Sequence, residues 1–329
     1  MTGKRTPPVT IQNRLAEEIR SARHCVLSTH THPDGDALGS LLALGSALKR
    51  SGIPCTILLP GDVPQNLRFL PLLDQMREDM PEAPDVVIAL DCAEVARLSP
   101  EPELIESARL SLCVDHHRSN PGFCDLNWID PDRGSTAEMV YELLGTLGIE
   151  PDTDESSWLY TGLVTDTGRF LYSGTSPGSH RMAADLLERG IARDEIHQYI
   201  FQATPYADFS LYRETIARAE FYKNRALALS WVTLEDFQRT GAAPDQTDPA
   251  LHTLRDIDEV EMSCLLKEHA KEEFKISLRS KQTIDVSAIA AELGGGGHLR
   301  AAGCTVHGTL SEVKSRLMDA VEAHWKDPA

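Results

Sequence analysis

"HCVLSTHTHPDGDALGSLLALGSALKRSG", residues 24–52, holds a strand, a sharp reversal and a helix in one stretch. "HCVLSTH" (24–30) is almost continuously apolar, as a strand buried on both faces is. "DALGSLLALGSALKRSG" (36–52) carries helical apolar periodicity and ends at Gly52. "CTILLP" (55–60), "DVVIALDC" (85–92) and "LSLCVDHH" (110–117) read as strands of the same kind. "STAEMVYELLGTLG" (135–148) reads as a helix opened by a Ser135-x-x-Glu138 capping box and closed by Gly148. Strands alternating with helices in this way predict an α/β domain over residues 1–190, with a mainly parallel sheet flanked by helices.

From 191 to 222 the pattern is helical and reads as a connector. Residues 223–329 start afresh with a strand, "RALALSWV" (225–232), and a polar loop at 240–250. Strands near 260–267 and 274–279, a helix at 285–293, the loop "GGGGH" (294–298) and a helix at 310–325 complete a smaller α+β domain. No internal repeat is present.

The formal net charge of the 329 residues is −18. A binder of long duplex nucleic acid needs a basic stripe, so that class is disfavoured. A short phosphate-bearing substrate is not, because carboxylate-bound cations reverse the local sign. No apolar run approaches the roughly 20 residues of a membrane helix, and the N-terminus lacks the apolar core of a secretory signal. The seven cysteines form no C-x-x-C pair, and several lie inside apolar runs. Free thiols in a cytoplasmic protein are expected.

Each chemical cluster of the first domain lies at the C-terminal end of an expected strand: His30 with Asp34 and Asp36, then Asp91, then Asp115, His116 and His117. In a parallel sheet all these ends open on one edge, where ligands bind. Asp166, in "TGLVTDTGRF", follows an apolar helical stretch and precedes a turn at Gly168, which places it to complete the same site. A lone Asp after a strand is usually a helix cap, and Asp36 is placed to cap a helix starting at Ala37. Four clusters on one edge are not explained by caps. Imidazoles and carboxylates without thiolates suit Mn²⁺, Fe²⁺, Co²⁺ or Zn²⁺ better than Ca²⁺. His30, Asp34, Asp36, Asp91, His116 and Asp166 are too many for one tetrahedral ion. Two ions about 3.5–4 Å apart, sharing a carboxylate, would activate a bridging water to hydroxide for in-line phosphoryl displacement.

"HTHPDGDALGS", "ALDCAE", "VDHHRSN", "GLVTDTGRF" and "GGGGHLRAAG" occur in the order of the DHH phosphoesterase superfamily, and the chain resembles it from end to end. The last motif resembles the signature of its DHHA1 domain. The branch most similar is that of cytoplasmic oligoribonucleases acting on very short RNA that are also pAp phosphatases. The resemblance implies an N-terminal DHH domain, a C-terminal DHHA1 domain and an active site in the cleft between them. It implies that His30 and Asp34 hold one metal, that Asp36, His116 and Asp166 hold the other, and that Asp91 bridges. The family metal is usually Mn²⁺. His117 is then a phosphate contact or the general acid, and Asp115 orients the histidines. Arg118 departs from the proline common at that position. Family members often form homodimers.

Backbone N–H groups of Gly295, Gly296 and Gly297 can approach a phosphate closely, and His298 and Arg300 add donors. Arg279, in "SLRSKQ", adds a guanidinium at a strand end, where a surface ion pair is the alternative. These groups would grip the far phosphate of a short strand. The expected activity is 3′-5′ hydrolysis of oligoribonucleotides of two to five nucleotides, with dephosphorylation of pAp. The alternatives are a phosphodiesterase for linear or cyclic dinucleotides and a catalytically silent nucleotide sensor. No membrane partner is expected.

Overall fold

The computed structural model describes residues 10–61, 63–71, 73, 84–100, 102–242 and 248–325. The chain divides into two compact units, Met1–Ala203 and Thr204–Ala329. The first unit runs α1 (Ile11–Ser21), β1 (Cys25–Ser28), α2 (Gly35–Arg50), β2 (Cys55–Ile57), β3 (Val86–Leu90), α3 (Leu104–Ser107), β4 (Leu110–Asp115) and β5 (Leu126–Ile129). It continues with α4 (Thr136–Leu147), α5 (Thr153–Asp166), α6 (Pro177–Glu188) and α7 (Arg193–Phe201).

The five strands form a parallel sheet in the order β2-β1-β3-β4-β5. Alternation along the strands explains their apolar sequences. Cys25, Leu27, Val86, Ile88, Leu90, Leu112 and Val114 face the larger core with α1, α2, α4 and α5. Val26, Val87, Ala89 and Cys113 face a smaller core on the other side. With both faces covered, apolar residues dominate the strands, and each buried Leu or Ile contributes on the order of 1.5–3 kcal/mol.

Helices α2 and α5 meet at Gly39, where a Cβ would stand 2.3 Å from the Trp158 carbonyl oxygen. That close approach sets where α5 delivers Asp166. Asp34, rather than Asp36, caps α2: its Oδ1 accepts the N–H groups of Asp36 and Ala37, both at 3.0 Å. The helix begins two residues earlier than expected, so Asp36 already lies in its first turn. The Ser135 capping box is only half made. Ser135 Oγ accepts the Glu138 N–H at 3.2 Å, but Glu138 Oε1 is buried without a partner beside Gly134. Gly148 closes α4 in the left-handed region, as expected.

The segment expected as a connector, 191–222, is divided between the units: Ile196 of α7 joins the first core and Leu211 of α8 (Tyr206–Ala217) packs in the second unit. The second unit continues with β6 (Glu220–Tyr222), β7 (Leu227–Val232), α9 (Leu234–Thr240), α10 (Asp248–Arg255), β8 (Met262–Ala270) and β9 (Glu273–Ser280). It ends with α11 (Val286–Glu292), β10 (Gly296–His298), β11 (Ala301–His307) and α12 (Leu310–His324). Its six strands lie in the order β10-β11-β9-β8-β7-β6, with β7 and β8 the parallel pair. Of the loop expected at 240–250, residues 243–247 lie outside the described residues and 248–250 open α10. The "GGGGH" loop is partly strand, since Gly296–His298 pairs antiparallel with β11. All seven cysteines are buried free thiols. Among the described residues no helix is long and apolar enough to cross a membrane.

Candidate active site

Asp91 follows β3 directly and takes φ of 52°, a left-handed conformation strained for a residue with a Cβ. Its carboxylate is 1 % exposed and accepts the Thr136 hydroxyl at 2.9 Å. Around it, the ends of β1, β3 and β4 and the last turn of α5 bring the dispersed clusters together. His30, Asp34 and Asp91 form one triad, and Asp36, His116 and Asp166 form another. In each, ligand atoms lie within 4.8 Å of one another, and Asp91, His116 and His117 make a third overlapping group. His30 Nε2 stands 3.8 Å from Asp91 Oδ2, and His116 Nε2 stands 3.0 Å from Asp166 Oδ2 and 3.8 Å from Asp91 Oδ1.

Asp36 is fully buried and is held by a helix other than its own. Its two oxygens accept the backbone N–H groups of Thr136 at 2.6 Å and Ala137 at 2.8 Å, at the start of α4. Thr136 thus ties Asp36 and Asp91 together from one residue. Asp115 accepts from His117 Nδ1 at 2.7 Å and from Asn120 Nδ2 at 2.7 Å, which fixes the imidazole and leaves Nε2 for other contacts. His116 Nδ1 faces the Arg133 carbonyl at 3.3 Å, so its Nε2 is aimed at the carboxylates.

The electrostatics call for cations. Burial, followed by the neighbouring Asp91 and Asp166 charges, pushes the Asp36 carboxyl well above the usual range. Burial, followed by Asp34, raises Asp91 to about 7. Burial opposes protonation of His116, but the hydrogen bond to Asp166 and the Asp36 and Asp91 charges overcome it and raise the group to about 10. Burial also works against ionisation of Asp115, yet its bonds from His117 and Asn120 hold it below the usual range. The His117 group is raised, chiefly by Asp115. Burial lowers His30, the one imidazole of the three without a carboxylate hydrogen bond. A cluster that holds protons on groups built to be charged fits divalent cations, which would take their place. His30, Asp34, Asp36, Asp91, His116 and Asp166 have the right donor types and spacing for this.

In the second unit, Arg279, Gly296 and Gly297 line a cavity of about 460 Å³ with Lys267, Lys275 and Ser277. Gly295, His298 and Arg300 stand outside its lining. Gly295 is required by packing, since a Cβ there would stand 2.2 Å from the Gly303 carbonyl oxygen. Arg300 donates to the Ile284 carbonyl at 2.8 Å. Lys267 and Lys275 are direct cross-strand partners. Sequence reasoning also missed Thr136, Asn120 and Arg97. Only the Thr136 position carried a signal, a polar residue at a helix start facing the strand ends.

This arrangement, carboxylates and imidazoles converging on the edge of a parallel sheet, is that of a metal-dependent phosphoester hydrolase. The family description "DHH family, N-terminal domain" matches residues 24–165 and "DHHA1 domain" matches residues 226–327. The chain belongs to the DHH phosphoesterase family. The bifunctional oligoribonuclease and PAP phosphatase NrnA of Thermus thermophilus is 34% identical over 313 residues, 94% of this chain and 93% of that one. The cyclic-di-AMP phosphodiesterase PdeA of Listeria monocytogenes is 25% identical over 96% of this chain and 50% of its own length. The crystal structure of an exopolyphosphatase-related protein from Bacteroides fragilis superposes with a TM-score of 0.87 at 25% identity, covering 97% of this chain and 98% of that one.

Proposed function

We propose that the protein hydrolyses very short oligoribonucleotides to mononucleotides from the 3′ end and removes phosphate from pAp. The observation that carries this reading is the pair of triads, His30–Asp34–Asp91 and Asp36–His116–Asp166, brought together around Asp91. Two divalent cations, Mn²⁺ by resemblance to the family, would supply Lewis acidity and lower the pKa of a coordinated water. The chain's own residues do the rest. His30 and Asp34 hold one position, Asp36, His116 and Asp166 hold the other, and Asp91 reaches both. His117, fixed by Asp115, presents its outer nitrogen to the leaving oxygen as general acid or phosphate contact. Within the second unit, Arg279 and the glycine strand are donors suited to a nucleotide phosphate. The likeness to NrnA over nearly the whole chain supports the substrate class.

The test is turnover of pAp, a diribonucleotide and a 24-mer at matched concentrations with Mn²⁺, then with EDTA. Release of mononucleotide from the dinucleotide, little attack on the 24-mer and loss of both activities in EDTA are expected. A dinucleotide left intact with every divalent cation tried would refute the reading. A second reading, hydrolysis of cyclic or linear dinucleotide messengers, is favoured by the likeness to PdeA over 96% of this chain. Adding cyclic di-AMP to the same assay separates the two.

A further inference from the structure

We propose that Arg97, whose guanidinium stands 3.1 Å from His30 Nδ1, is a substrate-phosphate residue that turns to the phosphoryl oxygens when that imidazole holds a cation. The proposal rests on the phosphoester reading of the site.

The backbone beyond β3 returns to the centre. Thr31 N–H donates to the Arg97 carbonyl at 2.7 Å, and His30 pairs with Leu98 in an isolated antiparallel bridge. Leu98 is 1 % exposed and anchors this return. Arg97 is therefore fixed at its backbone beside the first triad while its side chain is exposed. Among the described residues, its guanidinium is the one within hydrogen-bond distance of a side chain of the cluster, 3.1 Å from His30 Nδ1. It has no carboxylate partner among those residues, although the protein carries a net charge of −18 and five aspartates stand nearby.

His30 Nδ1 is also 2.8 Å from the Thr31 carbonyl oxygen. A carbonyl only accepts and a guanidinium only donates, so one ring nitrogen cannot satisfy both. It either donates to Thr31 or accepts from Arg97. An imidazole whose Nε2 lone pair is committed to a cation carries its proton on Nδ1. That proton points to Thr31, and Arg97 loses its acceptor. The five nearby carboxylates are already engaged: Asp34 by the first amides of α2, Asp36 by the α4 amides, Asp91 by Thr136, Asp115 by His117 and Asn120, and Asp166 by His116. The planar fork of donors then matches a phosphate, which it can bind in bidentate fashion. Donors aimed at developing charge on phosphoryl oxygens lower the barrier.

The experiment compares the native protein with Arg97→Ala and Arg97→Lys. Mn²⁺ affinity is read by electron paramagnetic resonance, inorganic phosphate affinity of the Mn²⁺-loaded protein by calorimetry, and kcat/KM on a diribonucleotide. Arg97→Ala should leave Mn²⁺ affinity within about twofold, weaken phosphate at least about tenfold and lower kcat/KM about 10²–10³-fold. Arg97→Lys should recover part of each loss, since it restores the charge but not the fork. Unchanged phosphate affinity in Arg97→Ala would overturn the proposal, as would a tenfold loss of Mn²⁺ affinity, which would make Arg97 a support of His30. If the native protein cleaves no dinucleotide, the functional reading fails. The phosphate measurement still decides the role of Arg97.

Discussion

Replacing Asp91 with asparagine should stabilise the metal-free protein at pH 8 while removing its turnover. Asp91 is fully buried and its carboxyl is raised from 3.8 to about 7. A carboxyl raised on folding makes the folded state bind more protons than the unfolded chain across that window. Stability therefore falls as pH rises from about 4, and the penalty is complete above about 7. Roughly three pH units at 1.36 kcal/mol each give an upper bound of about 4 kcal/mol. The asparagine amide sets new donors against His30 and His116 and offsets part of this, leaving a gain of about 2 kcal/mol. For a unit of this size that is about 4–8 °C in Tm. Calorimetry in EDTA from pH 5 to pH 8 should show the variant's advantage growing with pH, and saturating Mn²⁺ should reverse the order. A variant no more stable than the native protein at pH 8 in EDTA, or a difference independent of pH, would refute the reasoning.

Thr136→Val removes the hydroxyl that donates to Asp91 at 2.9 Å and should weaken Mn²⁺ binding about 10- to 100-fold, with Thr136→Ser restoring it. An electron paramagnetic resonance titration reads this, and equal affinities would remove Thr136 from the centre. Gly39→Ala sets a methyl group 2.3 Å from the Trp158 carbonyl oxygen and should cost about 3 kcal/mol in urea unfolding. A neutral result would mean that α2 and α5 can separate without loss.

The strands β1 to β4 were legible because a sheet covered on both faces selects mainly apolar residues, with only small hydroxyl side chains such as Thr56 and Ser111 between them. β5 was not, since "LNWI" is four residues long with an asparagine in it. Gly296–His298 reads as loop because glycine has low strand propensity, and only pairing with β11 makes it a strand. The acidic and histidine clusters were legible as chemistry because each ends a strand, and parallel strands share one open edge. Their supports were not. The bond from Thr136 to Asp91 spans 45 residues, and the contact of Arg97 with His30 spans 67. No local pattern marks either. The capping role open to Asp36 in the sequence is taken by Asp34, and the amides that Asp36 does accept belong to a helix 100 residues later.

That bond from α4 to Asp36 has a consequence for anion binding at the centre. In many folds the first amides of a helix receive a substrate's phosphate. Here the Thr136 and Ala137 amides are occupied by a carboxylate of the same chain, so that cradle is closed to an incoming anion. Without cations the centre presents negative charge and repels phosphate. On the proposed reading, bound cations would supply the attraction for a phosphate that these amides no longer offer.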